Sequence, residues 1–310
     1  MAERTGIGWT DATWNPVRGC TRVSPGCVNC YAEALTARHS GTWGEGFAEQ
    51  TPAGPRWTRK VELIPSMLDR PLRWRKPRMI FVNSLSDLFH PALSNEVIAA
   101  VFGVMAACPQ HTFQILTKHP ERASKWFDWA TRRTIALGLP RGEADFCVIS
   151  AGIAMELPEF MAPNHGWALP NVWLGTSAED QQRADERIPF LLECPAVVRF
   201  VSYEPALEAV RFARWMRQCT FGWAASGGGC GDCDPCVWTA AQDGRFLNWL
   251  VIGGESGPNR RPFDLAWLES VAEQCDTAGV PLFVKQDGAF RPGEQGRIPD
   301  RLWARKEFPR

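Results

Sequence analysis

No stretch of this chain holds the ~20 consecutive apolar residues that a bilayer-spanning helix needs, so a helical membrane protein is not expected. Net charge is also absent, with 34 Lys and Arg against 34 Asp and Glu. Composition therefore makes no global case for nucleic acid, and any such site would have to be local. The opening MAERTGIGWTDATWNP lacks an apolar h-region and a small-residue cleavage site, so no secretion signal is expected and the cytoplasm is the expected compartment. No G-x-S-x-G or H-E-x-x-H occurs and the five histidines are scattered, which leaves a hydrolase without its usual machinery. The GGESG segment has neither the G-x-G-x-x-G nor the P-loop spacing. Tyrosine is scarce, two residues against fifteen Trp, but Trp fills cores and stacks on ligands equally well, so the imbalance assigns nothing.

What is present is an alternation of buried-looking strands and helices. MIFVNSLSD (79 to 87), TFQILTKH (112 to 119), VWLGTSAED (172 to 180), VRFVSYEP (198 to 205), WLVIGGESG (249 to 257) and PLFVKQDG (281 to 288) are near-continuous apolar runs that end in polar or glycine residues. Such runs suit parallel strands covered on both faces. Between them, residues 95 to 108 form a helix pattern with Ser94 as N-cap and Glu96 in the first turn, and residues 263 to 279 form another that ends at a glycine. With a short strand near Thr13 to Pro16 the units number six or seven, which predicts an α/β fold: a partial (β/α) barrel of six or seven parallel strands in a single domain over 1–310. Two inserts interrupt it, a Gly/Pro/Trp-rich one at 40–77 and a Cys-rich one at 219–246.

Function in such folds gathers at the C-terminal ends of the strands. Candidate groups there are Ser84, Asp87, Lys118, Glu204, Glu255 and Lys285. The competing reading is that they cap helices and satisfy loop backbone. Glu204 and Glu255 fit that less well, because each directly follows a buried-looking strand, where an acid needs a partner or a ligand.

Eleven cysteines in a chain expected in the cytoplasm point to metal ligands or catalysts rather than disulfides. Cys20, Cys27 and Cys30, spaced C-x6-C-x2-C, follow the first strand on a polar loop that contains Pro25 and Gly26. Three thiolates hold three irons of a [4Fe-4S] cluster and leave the fourth iron open to a small molecule, whereas closed structural clusters and zinc sites take four protein ligands. Zinc completed by His39 or by a distant residue is the alternative. The second group, Cys230, Cys233 and Cys236 with Cys219 upstream, reads as a second [4Fe-4S] cluster or as zinc. Cys108, Cys147, Cys194 and Cys275 stand alone on apolar stretches and read as core.

The segments WTDATWNPVRGCTRVSPGCVNCYAE, FVNSLSDLFH, FVSYEP, WLVIGGESGPNRRP and AGVPLFVKQ, spread from residue 9 to about 288, resemble a three-cysteine-motif family of unknown function found in phages and bacteria. That family is in turn similar to radical S-adenosylmethionine (SAM) enzymes. The resemblance implies a radical-SAM-like partial barrel with a [4Fe-4S] cluster on Cys20, Cys27 and Cys30 and SAM at the open iron, cleaved to a 5′-deoxyadenosyl radical. The spacing departs from the radical SAM pattern C-x3-C-x2-C: the first gap here is six residues, Asn29 stands where an aromatic precedes the last cysteine, and Tyr31 follows it. The GGE that binds the methionyl amino group in those enzymes ends their second strand, whereas Gly253, Gly254 and Glu255 end a late one, so that role is not transferred. By position alone, Glu204 and Glu255 are candidates for an ammonium or ribose contact and Lys118 for a carboxylate.

The expected function is thus an iron-sulfur enzyme that binds SAM, with nucleic acid or a nucleotide as candidate substrate. The alternative is a non-catalytic, metal-stabilised nucleic-acid-binding protein. Its support is RPLRWRKPR (70 to 78), in which four arginines and a lysine surround Trp74, together with Arg260 and Arg261. Such a run also reads simply as a solvated face.

Overall fold

The computed structural model describes residues 5–139, 142–157, 160, 166–216 and 245–309. The chain forms two compact units, Met1–Thr176 with Cys194–Val197, and Ser177–Glu193 with Val198–Arg310. The architecture is mixed α/β with seven parallel strands among the described residues, the upper count expected for a partial barrel. No helix among the described residues is long and apolar enough to cross a membrane.

In the first unit, β1 (Ala12–Trp14), β6 (Met79–Val82), β7 (Thr112–Thr117) and β8 (Val172–Ser177) run parallel in that order. The 40–77 insert supplies three short strands: β5 (Glu62–Leu63) pairs antiparallel with β2 (Val17–Arg18), which precedes the insert, and β3 (Ala48–Thr51) pairs with β4 (Gly54–Trp57). Helix α1 (Tyr31–Arg38) follows the cysteine loop. Helices α2 (Asn95–Ala106), α3 (Pro120–Ala136) and α4 (Glu143–Met155) pack against one another, and apolar strand residues such as Ile80, Phe113 and Ile115 are fully buried. Ser94 caps α2 as expected, its hydroxyl accepting the Val97 N–H at 3.3 Å. Much of the tryptophan is core: Trp126 stacks on Phe102 at 4.6 Å and meets Trp167 at 5.7 Å.

In the second unit, β9 (Val198–Tyr203), β10 (Trp249–Gly253) and β11 (Leu282–Gln286) are parallel neighbours in that order. Helices α5 (Gln181–Glu193), α6 (Ala213–Met216), α7 (Leu265–Ala278) and α8 (Asp300–Trp303) complete it. Helix α7 begins at the Asp264 cap and stops at Gly279, whose φ of 68° suits a residue without a side chain. The C-terminal residues lie antiparallel along β11, with Val284 N–H donating to Arg305 O at 2.9 Å and Glu307 N–H to Leu282 O at 3.2 Å.

Candidate metal centre

The parallel pairing of β1 with β6 sets the ends of these two strands side by side. Past the strands the neighbours are joined by side chains: Asn15 Oδ1 accepts the Leu85 N–H at 3.0 Å, Asn83 Oδ1 accepts the Val17 N–H at 3.3 Å, and Ser86 Oγ donates to Val17 O at 2.9 Å. Asn83 takes a left-handed conformation, φ 59°, which Asn tolerates better than most residues. Its Nδ2 is buried with no hydrogen-bond partner among the described residues, an uncommon condition. Gly19 then bridges to Ser86. A Cβ at Gly19 would lie 1.8 Å from Lys60 O, and φ is +87°, so only glycine brings the chain to Cys20 along this path.

From Cys20 the loop passes through a single 3-10 turn, Pro25–Cys27, and delivers Cys30 to the N-cap of α1. Cys27 is buried, while Cys20 and Cys30 are partly covered. The three thiols influence one another electrostatically. Burial opposes ionisation of Cys20 most, and the Asp87 carboxylate, Cys30 and Cys27 add to it, so its pKa is raised. Burial likewise raises Cys30 against the pull of the Glu33 and Ala32 amides and the Lys118 ammonium. For Cys20 and Cys30 a nearby cation would favour the thiolate that burial opposes.

Two polar clamps hold the loop. Arg22 Nε donates to Glu33 Oε2 at 2.8 Å, and Glu33 Oε1 accepts the Trp57 N–H at 2.9 Å, tying loop, α1 and β4 together. Thr21 Oγ1 and His90 Nε2 are 2.9 Å apart. His90 is buried, and its pKa is lowered, chiefly by burial and then by His119, with Asp87 opposing.

His39, the alternative fourth zinc ligand, stands at the C-cap of α1. Cys30 is the N-cap, so the two are about 13 Å apart along the helix axis at 1.5 Å per residue. The His39 ring stacks on Trp43 at 4.9 Å and its Nδ1 bonds Leu35 O at 2.9 Å. No group of three or more His, Cys, Asp or Glu that could hold a metal ion occurs among the described residues. Cys20, Cys27 and Cys30 are thiols on one loop, the donor type that iron-sulfur clusters take.

Ser84, Asp87 and Lys118 lie in the same unit as the thiols. Tyr31, next to Cys30, donates its hydroxyl to Ser84 O at 2.7 Å. Asp87 is committed to backbone and hydroxyl donors, accepting from Phe89 N at 3.0 Å, Thr117 Oγ1 at 2.7 Å and Lys118 N at 2.8 Å. Lys118, past the end of β7, acts electrostatically on Cys30. Glu204, Glu255 and Lys285 belong to the second unit. There Lys285 Nζ donates to Glu204 Oε1 at 2.5 Å, and Lys285 lies inside β11 rather than past its end. Buried Glu255 accepts from Arg261 Nε at 3.1 Å, Nη2 at 2.6 Å and the backbone N at 2.9 Å. Each acid therefore has the partner that its position after a strand required.

The sequence reading did not single out Thr21, Arg22, Glu33 or His90. His90 closes the quoted FVNSLSDLFH, yet nothing in its spacing points to Thr21. Cys219, Cys230, Cys233 and Cys236 lie outside the described residues. Cys108, Cys147, Cys194 and Cys275 are fully buried, as core residues are. The basic segment 70 to 78 leads into the start of β6, whereas Ser84 and Asp87 follow its end. Arg78 sits over the Trp74 ring at 5.0 Å.

The chain belongs to a family described as a protein of unknown function (DUF5131), whose model matches residues 4–306. No curated protein and no solved structure matches it.

Proposed function

We propose that this member of the family is an iron-sulfur enzyme that holds a [4Fe-4S] cluster on Cys20, Cys27 and Cys30 and binds SAM at the iron these thiolates leave open. The carrying observation is the shared loop: three thiols on one segment that begins past β1, where Gly19 bridges to Ser86 after β6, with His39 at the opposite end of α1 from Cys30. When bound and reduced, the cluster would supply the electron that splits the sulfonium and yields a 5′-deoxyadenosyl radical.

The chain's own groups have separable tasks. Lys118 offers its ammonium to a ligand carboxylate, for which a compact point charge is suited. Asp87 holds the β6 and β7 ends in register through its three accepted hydrogen bonds, and Ser84 ties Asn15 to Tyr31. The Arg22–Glu33 pair fixes the thiol loop to α1. The quoted motifs resemble the three-cysteine-motif family, and SAM enters this reading through that family's similarity to radical SAM enzymes; nucleic acid or a nucleotide is the substrate class proposed.

The test is protein purified without oxygen, with iron, sulfide and zinc counted, SAM binding measured, and reductant-dependent 5′-deoxyadenosine sought. Zinc without iron on the three cysteines would end the reading.

A second reading, a metal-stabilised nucleic-acid-binding protein, is favoured by the exposed Arg73, Arg75 and Lys76. It predicts salt-sensitive binding that weakens when these three are neutralised. Unchanged binding would remove it.

A further inference from the structure

We infer that His90 is a positioning residue of the thiol loop: a neutral imidazole of fixed tautomer that holds Thr21, and with it Cys20, by one directed hydrogen bond. The Ala92 N–H donates to His90 Nδ1 at 3.1 Å, so Nδ1 presents its lone pair. In neutral imidazole the proton then sits on Nε2. Nε2 is 2.9 Å from Thr21 Oγ1 and therefore donates to it. The Thr21 carbonyl in turn faces the Cys20 thiol, with Sγ to O at 3.5 Å.

Cys20 thereby lies between two attachments to the same stretch of chain. On its N-terminal side Gly19 bridges to Ser86, and on its C-terminal side Thr21 bonds His90. His90 is itself fixed, its N–H donating to Asp87 O at 3.2 Å and its ring meeting His119 edge-on at 5.8 Å. The geometry assigns His90 two duties, one toward its own turn through Nδ1 and one toward the thiol loop through Nε2.

Two substitutions separate the duties. In His90→Asn the side-chain oxygen overlies Nδ1 and keeps the Ala92 bond, but no donor reaches Thr21. In His90→Gln the amide nitrogen overlies Nε2 and keeps the Thr21 bond. The bearing of this role on iron rests on Cys20 being a cluster ligand, so the first readout uses reduced, metal-free full-length protein: alkylation rates of Cys20, Cys27 and Cys30 resolved by mass spectrometry. Cys20 should react about 5-fold faster in His90→Asn, the worth of one ordinary hydrogen bond, while Cys27 and Cys30 are unchanged and His90→Gln behaves as wild type. Thr21→Val should match His90→Asn, and the double variant should add nothing. Iron retained after anaerobic reconstitution should follow the same order. Equal Cys20 rates in His90→Asn and wild type, or equal perturbation in both His90 variants, would overturn the inference, the latter by reducing His90 to its turn. A uniform rise at all three thiols would overturn it as well. If the alkylation pattern holds but wild type takes up no iron, the cluster reading fails and the positioning role stands.

Discussion

Arg22 Nε donates to Glu33 Oε2 at 2.8 Å across the loop that carries Cys27 and Cys30. The carboxylate is 1% exposed, and its other oxygen accepts the Trp57 N–H, so one buried acid fastens the thiol loop, α1 and the β3–β4 hairpin together. The partial exposure of Arg22 gives the guanidinium access to water if the acid is removed, which moderates the cost.

Glu33→Ala is therefore expected to destabilise the protein by roughly 2–4 kcal/mol, because it strands a half-buried cation and a backbone donor together. Urea unfolding checks it. A midpoint within error of wild type would show that solvent replaces both contacts.

Gly103→Ala tests the packing of α2 on α4. Helix propensity alone favours alanine by about 1 kcal/mol. The added Cβ would, however, lie 2.1 Å from Cys147 O and 2.5 Å from its carbonyl carbon, both backbone atoms that cannot rotate away. Net destabilisation of about 1–3 kcal/mol is expected, read as a lowered Tm, and a raised Tm would refute the close approach.

Asp287 gives a pH dependence. Burial raises its pKa, but the Arg297 side chain and the Arg297 and Gly288 amides outweigh burial, and the net shift is downward from 3.8. A depressed carboxyl stabilises the fold fully above its unfolded value and loses that contribution as pH falls through the folded one. Asp287→Asn should lower stability at neutral pH and flatten the acid limb below about pH 4. Unfolding curves of the two proteins should converge in acid, and a difference independent of pH would exclude the ionic origin.

Cys20→Ala, Cys27→Ala and Cys30→Ala should each lose one cluster's iron, about four atoms per chain, after anaerobic reconstitution. Cys108→Ala and Cys275→Ala, which alter fully buried thiols, should keep it. Iron and sulfide analysis with the charge-transfer absorbance decides. Retention by Cys27→Ala would detach the loop from metal binding.

Much of the fold was legible because burial leaves a pattern. Continuous apolar runs marked β6 to β11, the Ser94 cap and the Gly279 stop marked two helices, and isolated cysteines in apolar surroundings marked the core. The acids after β9 and β10 signalled a need for partners, but not which partners. Lys285, 81 residues from Glu204 in the chain, carries no local sign of that pairing.

What the sequence by itself determined was the succession of βα units and the crowding of three thiols on one polar loop, since periodicity and spacing are properties of neighbouring residues. Only the tertiary structure decided that His39 is carried to the far end of α1, that Asp87 is spent on the β7 end, and that His90 meets Thr21 over a separation of 69 residues. Directed hydrogen bonds depend on where chain segments cross in space, and a crossing leaves no repeat in the order of residues.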